Sequence, residues 1–353
     1  MSAPVLNPAR DAGAALRQVR AARRAGRTRH VRVAAVLAAA VTAAFFVNIL
    51  LGSYTVTIPD FLRILGGEQI PGATYIVMEG KLPRAVTGLM VGAAFGIAGT
   101  LFQTLLRNPL ASPDIIGISY GASAAAVTAL VFFGASGSTV SLAALLGALA
   151  VALAIYLLSR RGGAGGYRMI LIGVGFAAVL QAVVSFLLTR TDVRTASEAL
   201  VWLSGSLNAA TWERAGLLAV ALAVLVPAAG ALSGRLRALE LGNDTAAGLG
   251  VPVEPVRLGL VMTAVALAAV ATAAAGPVIF VAFLSGPIAA RLRGGAASLP
   301  AAALTGALIV LASEFAAANL LPATSLPVGV VTGALGAPFL LWLLMRTNKS
   351  GRG

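Results

Sequence analysis

The chain has 353 residues, of which 59% are hydrophobic and only 11% are charged, whereas a soluble domain usually carries about 25% charged residues. One soluble core cannot bury so many apolar side chains, and apolar windows of about 20 residues, the length that crosses a bilayer, recur throughout, so the sequence predicts an integral membrane protein. Because the chain has no cysteine and a single histidine, His30, disulfide frameworks, thiolate metal sites and haem ligation are excluded, and no metal or cofactor site is predicted.

Residues 1–30 form a basic N-terminal tail, which contributes much of the net charge of +14. Eight of the 26 basic residues are arginines that lie before residue 33. Such a cluster ahead of a first membrane helix predicts a cytoplasmic tail. Nucleic acid is not expected as a partner, because the tail lacks the interleaved aromatic residues of a single-strand binder. A signal peptide is not expected either, because the following apolar run has full spanning length.

The apolar pattern predicts ten spanning helices within one membrane domain, residues 31–346. The predicted spans are 31–52, 83–106, 115–134, 139–159, 169–189, 212–233, 257–275, 276–292, 300–321 and 327–346. With the N-terminus inside, 20 basic residues fall on the inner side and 6 on the outer side. This asymmetry predicts a multi-pass protein of the cytoplasmic membrane with both the N-terminal tail and the C-terminal tail, residues 347–353, in the cytoplasm.

The connector between the second and third spans is unusually polar and reads QTLLRNPLASPDIIGISYGAS, residues 103–123. Pro109 and Pro113 end one helix and begin the next, because proline cannot continue the helical hydrogen-bond ladder. Asn108 and Asp114 are suited to capping the freed backbone groups. A tight, well-capped hairpin and a functional element remain equally open from these residues alone.

A second predicted inner connector, residues 234–257, is longer than a hairpin requires. It is expected to form two short helices, the first at 235–241 and ending at Gly242, the second capped by Asp244 and ending at Gly250. Two capped helices at a membrane face would form a rigid projection that calls for a protein partner. The alternative is an amphipathic helix lying on lipid, although the stretch lacks Trp and Phe.

The chain has no phosphate loop of its own, because neither of its two lysines, Lys81 and Lys349, lies in a GxxxxGK[ST] context. ATP hydrolysis by this chain is therefore not expected. An ion-coupled transporter would need acidic or histidine residues at mid-membrane, and Glu314, in the predicted ninth span, is the candidate. A snorkelling position or a hydrogen bond to Asn319 or a neighbouring helix explains Glu314 equally well. A membrane-embedded hydrolase or transferase would need a nucleophile with a base or metal ligands, for which the sequence offers no candidates.

Four motifs resemble the iron-siderophore and vitamin B12 permeases of ATP-binding-cassette (ABC) importers. These motifs are KLPRAVTGLMVGAAFGIAGTLFQTLLRNPLASP, LELGNDTAAGLGV, GPVIFVAFLSGPIAARLRG and LPVGVVTGALGAPFLLWLL, and they occur in the family's order between residues 35 and 346. The resemblance implies an all-α membrane protein of about ten helices with the vitamin B12-permease type of fold. It implies a transport subunit rather than an enzyme, energised by separate cytoplasmic ATPase subunits, working beside a second permease and receiving cargo from an extracytoplasmic binding protein.

The resemblance also implies roles for particular residues. Lys81 and Arg84 match basic positions that pair with glutamates of the binding protein, and Gln103, Asn108 and Pro109 match positions at the cytoplasmic gate of the translocation path. Residues 239–250 would contact the ATPase, with Leu239, Glu240, Leu241, Gly242, Asp244, Ala247, Leu249 and Gly250 as the contact residues. The glycine-rich face at Gly88, Gly92, Gly96 and Gly99 would serve close helix packing, beside the path or simply within the membrane.

Three departures from the family's pattern bear on assembly and cargo. The eighth span lacks the histidine of a P-H-x-x-R motif, an aspartate and arginine of the ninth span are Ser313 and Ala317, and an E-x-P-V-G motif begins with Ser325. Because a docking arginine is missing, we expect a paralogous second permease to supply it. A ferric siderophore is the expected cargo, with cobalamin or haem as the alternatives.

Overall fold

The computed structural model describes residues 8–114, 117–160, 166–320 and 325–350, and every regular element in those ranges is helical. A π-helical segment, Ile76–Lys81, joins α3 to α4. The helices are α1 (Pro8–Leu50), α2 (Ile58–Leu65), α3 (Ala73–Tyr75), α4 (Leu82–Leu105), α5 (Ile118–Phe133), α6 (Ser138–Arg160), α7 (Gly166–Arg190), α8 (Val193–Leu203), α9 (Trp212–Glu240), α10 (Asn243–Gly248), α11 (Val253–Ala275), α12 (Val281–Arg293), α13 (Leu299–Asn319) and α14 (Val328–Ser350).

Ten of these helices occupy the ten ranges in which spans are predicted. Seven described segments are long and apolar enough to cross a membrane: Thr28–Leu50, Ala73–Leu105, Ser138–Ser159, Arg168–Arg190, Trp212–Glu240, Val253–Ala275 and Leu299–Asn319. Two more, α5 and the Val328–Trp342 part of α14, are shorter apolar helices. The start of the basic tail at 1–7, the start of the third predicted span at 115–116, the end of the ninth at 321 and the tail residues 351–353 lie outside the described residues.

The prediction of the eighth span is wrong in part, because the first residues of that range are not helical. Residues 276–292 were expected to form one helix, but α12 has 13 residues and begins at Val281. Gly276 (φ +73°) and Phe280 (φ +69°) lie in the left-handed region, which stops a right-handed helix. The chain from Gly276 to Phe280 is therefore irregular within the bundle, and irregular backbone at membrane depth requires protein around it.

We call the two ends of the bundle the α10 end and the α2 end, after the short helices that they carry. At the α10 end, Arg29 Nε donates to Leu292 O at 3.2 Å, which places the start of the first span beside the end of α12. At the α2 end, Lys81 lies against the C-terminus of α1. The short helices α2 and α8 were not predicted, and each begins at a side-chain cap, Thr57 for α2 and Asp192 for α8.

Helix α4 is the centre of the bundle, and α9, α11, α12 and α13 surround it. Its glycines allow this arrangement, because Gly92 lies directly against the backbone of Gly306 in α13 and Gly99 against the backbone of Ala282 in α12. A methyl group at either position would overlap a carbonyl oxygen of the neighbouring helix. Small residues at such contacts let backbones approach closely. By contrast, α1, α6, α7 and α9 are largely exposed and form the periphery.

The second connector differs from the prediction of two short helices. Helix α9 continues without interruption to Glu240, so residues 235–240 are its last turns and Leu241 is its C-cap, and the predicted separate helix at 235–241 does not form. Gly234 does not break the helix, because a glycine keeps its N–H donor and nothing lies close to the position of its missing Cβ. Asp244 was expected to cap α10, but the N-cap residue is Gly242, and Asp244 lies in the first turn, where its charge favours the helix dipole. Helix α10 ends at Gly248, two residues before the predicted end at Gly250, whose left-handed φ of +80° turns the chain after the helix.

Candidate translocation and coupling site

The Arg107 connector, residues 106–114, follows the end of α4. Arg107 N donates to Thr104 O and Asn108 N donates to Gln103 O, the paired bonds of a Schellman C-cap. The residue that turns the chain in this motif is usually glycine, but here it is Arg107, at φ +49°. A non-glycine residue in this conformation costs about 1–2 kcal/mol, so its side chain is expected to supply something that glycine cannot.

The arginine side chain reaches across to the last turn of α9. Arg107 Nη2 donates to Leu239 O at 2.6 Å, joining residues 132 positions apart in sequence. The last carbonyls of a helix have no partner within the helix, and a cation placed there also interacts favourably with the helix dipole. A charge-assisted hydrogen bond of this length is one of the stronger kinds available. It connects the Arg107 connector directly to the turn that precedes α10.

Gln103, in the last turn of α4, connects the same region to α12. Its Nε2 donates to Phe283 O at 2.9 Å, and the side chain is buried. Gly286 leaves the space that Gln103 occupies, since a Cβ there would overlap the amide oxygen of Gln103. Gln103 therefore holds α4 against α12 from inside the bundle.

Asn108 and Asp114 shape the rest of the connector. Asn108 Oδ1 accepts from Leu110 N at 2.9 Å, which satisfies a freed backbone amide as predicted, while Pro109 is exposed. Asp114 binds side chains instead: its Oδ1 accepts from Ser119 Oγ at 2.6 Å and its Oδ2 from Ser112 Oγ at 3.3 Å. Burial raises the pKa of Asp114, and the two serine hydroxyls partly offset that effect.

A cavity of about 520 Å³ opens beside this connector, between α5, α7 and the irregular stretch before α12. Hydrophobic side chains, among them Phe280 and Phe283, form most of its wall. Its polar lining is mainly uncharged and consists of Ser112, Asp114, Ser119, Tyr120, Ser123, Gln181 and Ser185. A cavity of this size with a few polar groups on an apolar wall is typical of small-molecule sites.

The α10 knob, residues 241–251, projects from the same end of the bundle. Leu241 and Leu249 are 65% and 64% exposed, a marked exposure for two leucines on so short a projection. Of the other predicted contact residues, Glu240, Asp244, Ala247 and Gly250 are exposed and Gly242 is half-buried. Leu239 is different, because its side chain is buried and its carbonyl binds Arg107. Arg257 steadies the knob through Asn243 Oδ1 at 3.1 Å.

Lys81, at the opposite end, is held by backbone. Its Nζ donates to three carbonyls at and beyond the C-terminus of α1, Ile49 O at 3.1 Å, Leu51 O at 2.7 Å and Tyr54 O at 2.5 Å. These bonds use all three donors of the ammonium group. Lys81 therefore serves as a C-terminal cap of α1 in this structure.

Arg84 and Glu314 form an ion pair near Lys81, with 3.8 Å between Nη1 and Oε1. The side chain of Glu314 is 7% exposed and that of Arg84 is 33% exposed. A cavity of about 280 Å³ lies beside the pair and is also lined by Asn48, Lys81 and Asn319. The predicted bond from Glu314 to a neighbouring helix matches this pair, because Arg84 lies in α4, whereas Asn319 bonds to Phe315 O in its own helix.

Two of these contacts were not predicted from the sequence. Arg107 was not among the predicted site residues, and Arg84 was not paired with Glu314. The pairing has a sequence signal, because an acid and a base at the same end of two predicted spans can neutralise one another. The contact of Arg107 has a weaker signal, namely an arginine at the glycine position of a helix C-cap.

In the described residues, ten helices occupy the predicted span ranges around a small-residue centre, with a cavity beside a polar connector and a projecting knob, an arrangement typical of a polytopic membrane permease. Residues 40–346 match the FecCD transport family, and the chain belongs to that family. It is 40% identical over 299 residues to the ferric enterobactin transport system permease protein FepG of Escherichia coli (strain K12), covering 84% of this chain and 91% of that protein.

Two further comparisons agree with this assignment. The chain is 39% identical over 291 residues to the achromobactin transport system permease protein CbrC of Dickeya dadantii (strain 3937), covering 81% of this chain and 83% of that protein. A solved structure described as an inward-facing metal-chelate type ABC transporter superposes with a TM-score of 0.80 at 26% identity, covering 89% of this chain and 99% of that one. The predicted family and fold class are thus confirmed.

Proposed function

We propose that this chain is a transmembrane permease subunit of an ABC importer that moves a ferric siderophore across the cytoplasmic membrane. The observation that carries the proposal is the FecCD family match over residues 40–346. The names of two relatives, which refer to ferric enterobactin and achromobactin, support an iron chelate as the cargo. Other relatives are named for vitamin B12 and hemin import, so cobalamin and haem remain the alternatives.

The energy for transport comes from a separate ATPase subunit bound at the α10 knob. Two leucines that are about two-thirds exposed support this assignment, because an exposed apolar patch on a polar projection is typical of a protein interface. Leu241, Leu249, Glu240, Asp244, Ala247 and Gly250 would form the contact surface. Leu239 would contribute through its carbonyl rather than through its buried side chain.

The α10 end faces the cytoplasm, and both termini lie on that side. The 20 to 6 distribution of basic residues supports this orientation, because positively charged connectors are retained in the cytoplasm. The cavity beside the Arg107 connector then lies near the inner end of the translocation path. Gln103, Asn108 and Pro109 act as structural parts of the inner gate, because Gln103 holds α12 and Asn108 shapes the turn.

The extracytoplasmic binding protein docks at the α2 end, where Arg84 and Lys81 are the candidate contacts. Arg84 is the stronger candidate, since its side chain is partly exposed and lines a cavity, and its guanidinium can donate to a second carboxylate besides Glu314. Lys81 would have to leave three carbonyls to do so. The cavity beside α5 and α7 would be completed by a second, paralogous permease, which would also supply the missing docking arginine.

The decisive test is ATP hydrolysis and uptake by the reconstituted complex in proteoliposomes. The complex is purified through a tag on this chain, and the probes are radiolabelled ferric enterobactin, cobalamin and haem. We expect the iron-loaded binding protein to stimulate ATP hydrolysis and uptake of the ferric chelate, with no effect of an ionophore. Uptake driven by an ion gradient without ATP would refute the proposal, and two copies of this chain with no second permease would refute the heterodimer.

A further inference from the structure

Three contacts of the region around the Arg107 connector lead to three different parts of the molecule. Arg107 bonds to Leu239 O before α10, Gln103 bonds to Phe283 O in α12, and Asp114 bonds to Ser119 in α5. The second and third contacts end at walls of the 520 Å³ cavity. The first contact leads away from the cavity to the knob.

Among the described residues, the side-chain hydrogen bond of Arg107 is the one that joins the connector to α9 or the α10 knob. Arg257, which contacts the knob, bonds to Asn243 and to Glu254 in α11 rather than to the connector. The knob follows directly after the last turn of α9, and apart from the buried Ala246 most of its residues are exposed. A displacement of the knob therefore acts on the connector most directly through the Leu239 carbonyl.

We propose that Arg107 is a positioning residue that transmits movement of the α10 knob to the inner connector, and thereby couples ATP hydrolysis to opening of the cavity. This inference rests on the proposed importer function and adds a residue to it. The left-handed backbone at Arg107 is explained by this role. An arginine replaces the favoured glycine because its guanidinium can reach Leu239, and one strong hydrogen bond offsets a conformational cost of similar size.

The test compares Arg107→Met, which keeps the length of the side chain but removes the donor, with Arg107→Lys, which restores a charged donor. The matched control is Arg293→Met. Arg293 also donates to backbone carbonyls at the α10 end, Ala296 O and Ala297 O, but within its own connector. Each variant is assembled in the full complex, and uptake of radiolabelled ferric enterobactin per ATP hydrolysed is measured in proteoliposomes.

We expect Arg107→Met to keep binding-protein-stimulated ATP hydrolysis within about twofold while uptake per ATP falls by about tenfold, as expected from the loss of one charged hydrogen bond. Arg107→Lys should recover most of the ratio, and Arg293→Met should leave it unchanged. A wild-type ratio in Arg107→Met overturns the inference. Equal loss of both activities in an assembled complex also overturns it, because Arg107 is then only structural. Failure of the wild-type complex to hydrolyse ATP in response to the binding protein contradicts the importer function itself and is thereby distinguishable.

Discussion

Both ends of this bundle use a cation to cap the carboxyl end of a helix, but the two caps differ in strength and reach. At the α2 end, Lys81 binds three carbonyls around the C-terminus of α1. At the α10 end, the exposed Arg107 makes one bond to the end of α9. Three bonds from one ammonium group fix two segments together, whereas a single bond from a long side chain joins two parts that can still move.

We therefore expect the α2 end to contribute stability and the α10 end to allow movement. Substitutions at the α2 end should therefore lower the free energy of unfolding, while substitutions on the α10 knob should change partner binding with little effect on stability. Four substitutions test this division, ordered by the expected loss of stability.

The largest loss is expected for Lys81→Met. The substitution removes the three N–H donors that bind the carbonyls of Ile49, Leu51 and Tyr54. Their loss should lower the free energy of unfolding by about 2–3 kcal/mol. The midpoint of thermal unfolding in detergent measures this loss. Arg63→Met is the control, because Arg63 is exposed and makes only surface ion pairs in the same region, each worth under about 1 kcal/mol. Equal midpoints for the two variants would show that Lys81 is not a cap.

Glu314→Gln should destabilise less, by about 1–2 kcal/mol. Removing one partner of a buried ion pair costs about 3–5 kcal/mol, but the 33% exposure of Arg84 lets water replace part of the lost interaction. The double variant with Arg84→Gln completes a mutant cycle. We expect the double variant to lose less stability than the two single variants lose together. Strict additivity of the two losses would mean that the pair does not interact.

Asp114→Asn should change stability by about 1 kcal/mol or less, with a characteristic pH dependence. Because burial raises the pKa of Asp114 in the folded protein, the folded state binds the proton more tightly than the unfolded chain. Wild-type stability should therefore fall as the pH rises from about 4 through the raised pKa. The amide introduced by the substitution does not titrate, so the variant should lack this slope. Parallel curves for the two proteins between about pH 4 and 8 would contradict burial of the carboxyl group.

Leu249→Ser should leave the unfolding midpoint unchanged, because the side chain is 64% exposed. It should weaken binding of the ATPase subunit about tenfold, the effect of removing one buried leucine from an interface. Leu320→Ser is a matched control with the same exposure at the other end. Co-purification of the ATPase with each variant measures the difference. Undiminished ATPase with Leu249→Ser would place the interface elsewhere.

Much of the architecture could be predicted because lipid imposes a simple length rule on apolar segments. The ten span ranges, the short helix α10 and the turn at Gly250 all follow from residue types. The break at Phe280 could not be predicted, since a phenylalanine in the left-handed region has no sequence signal. The continuity of α9 through Gly234 was also missed, because a single glycine inside a helix costs only about 1 kcal/mol relative to alanine and does not have to end it.

The site was harder to predict for a physical reason. Gln103 and Asn108 are recognised by their motif, but Gln103 supports the cavity wall through a backbone carbonyl rather than lining the cavity. The partner of Arg107 is 132 residues away and is also a carbonyl. Every residue offers a carbonyl, so the side chain at position 239 carries no information about this contact.

The same property has an evolutionary consequence. Three side chains, those of Arg107, Gln103 and Lys81, donate hydrogen bonds to backbone carbonyls. The residues that carry these carbonyls can therefore change without loss of the hydrogen bonds. Methods that infer contacts from covariation among homologues depend on two side chains that change together. They would therefore not detect these contacts between a side chain and the main chain. Duplicated permeases could thus drift apart in sequence, and towards different cargoes, while keeping the same mechanical linkages.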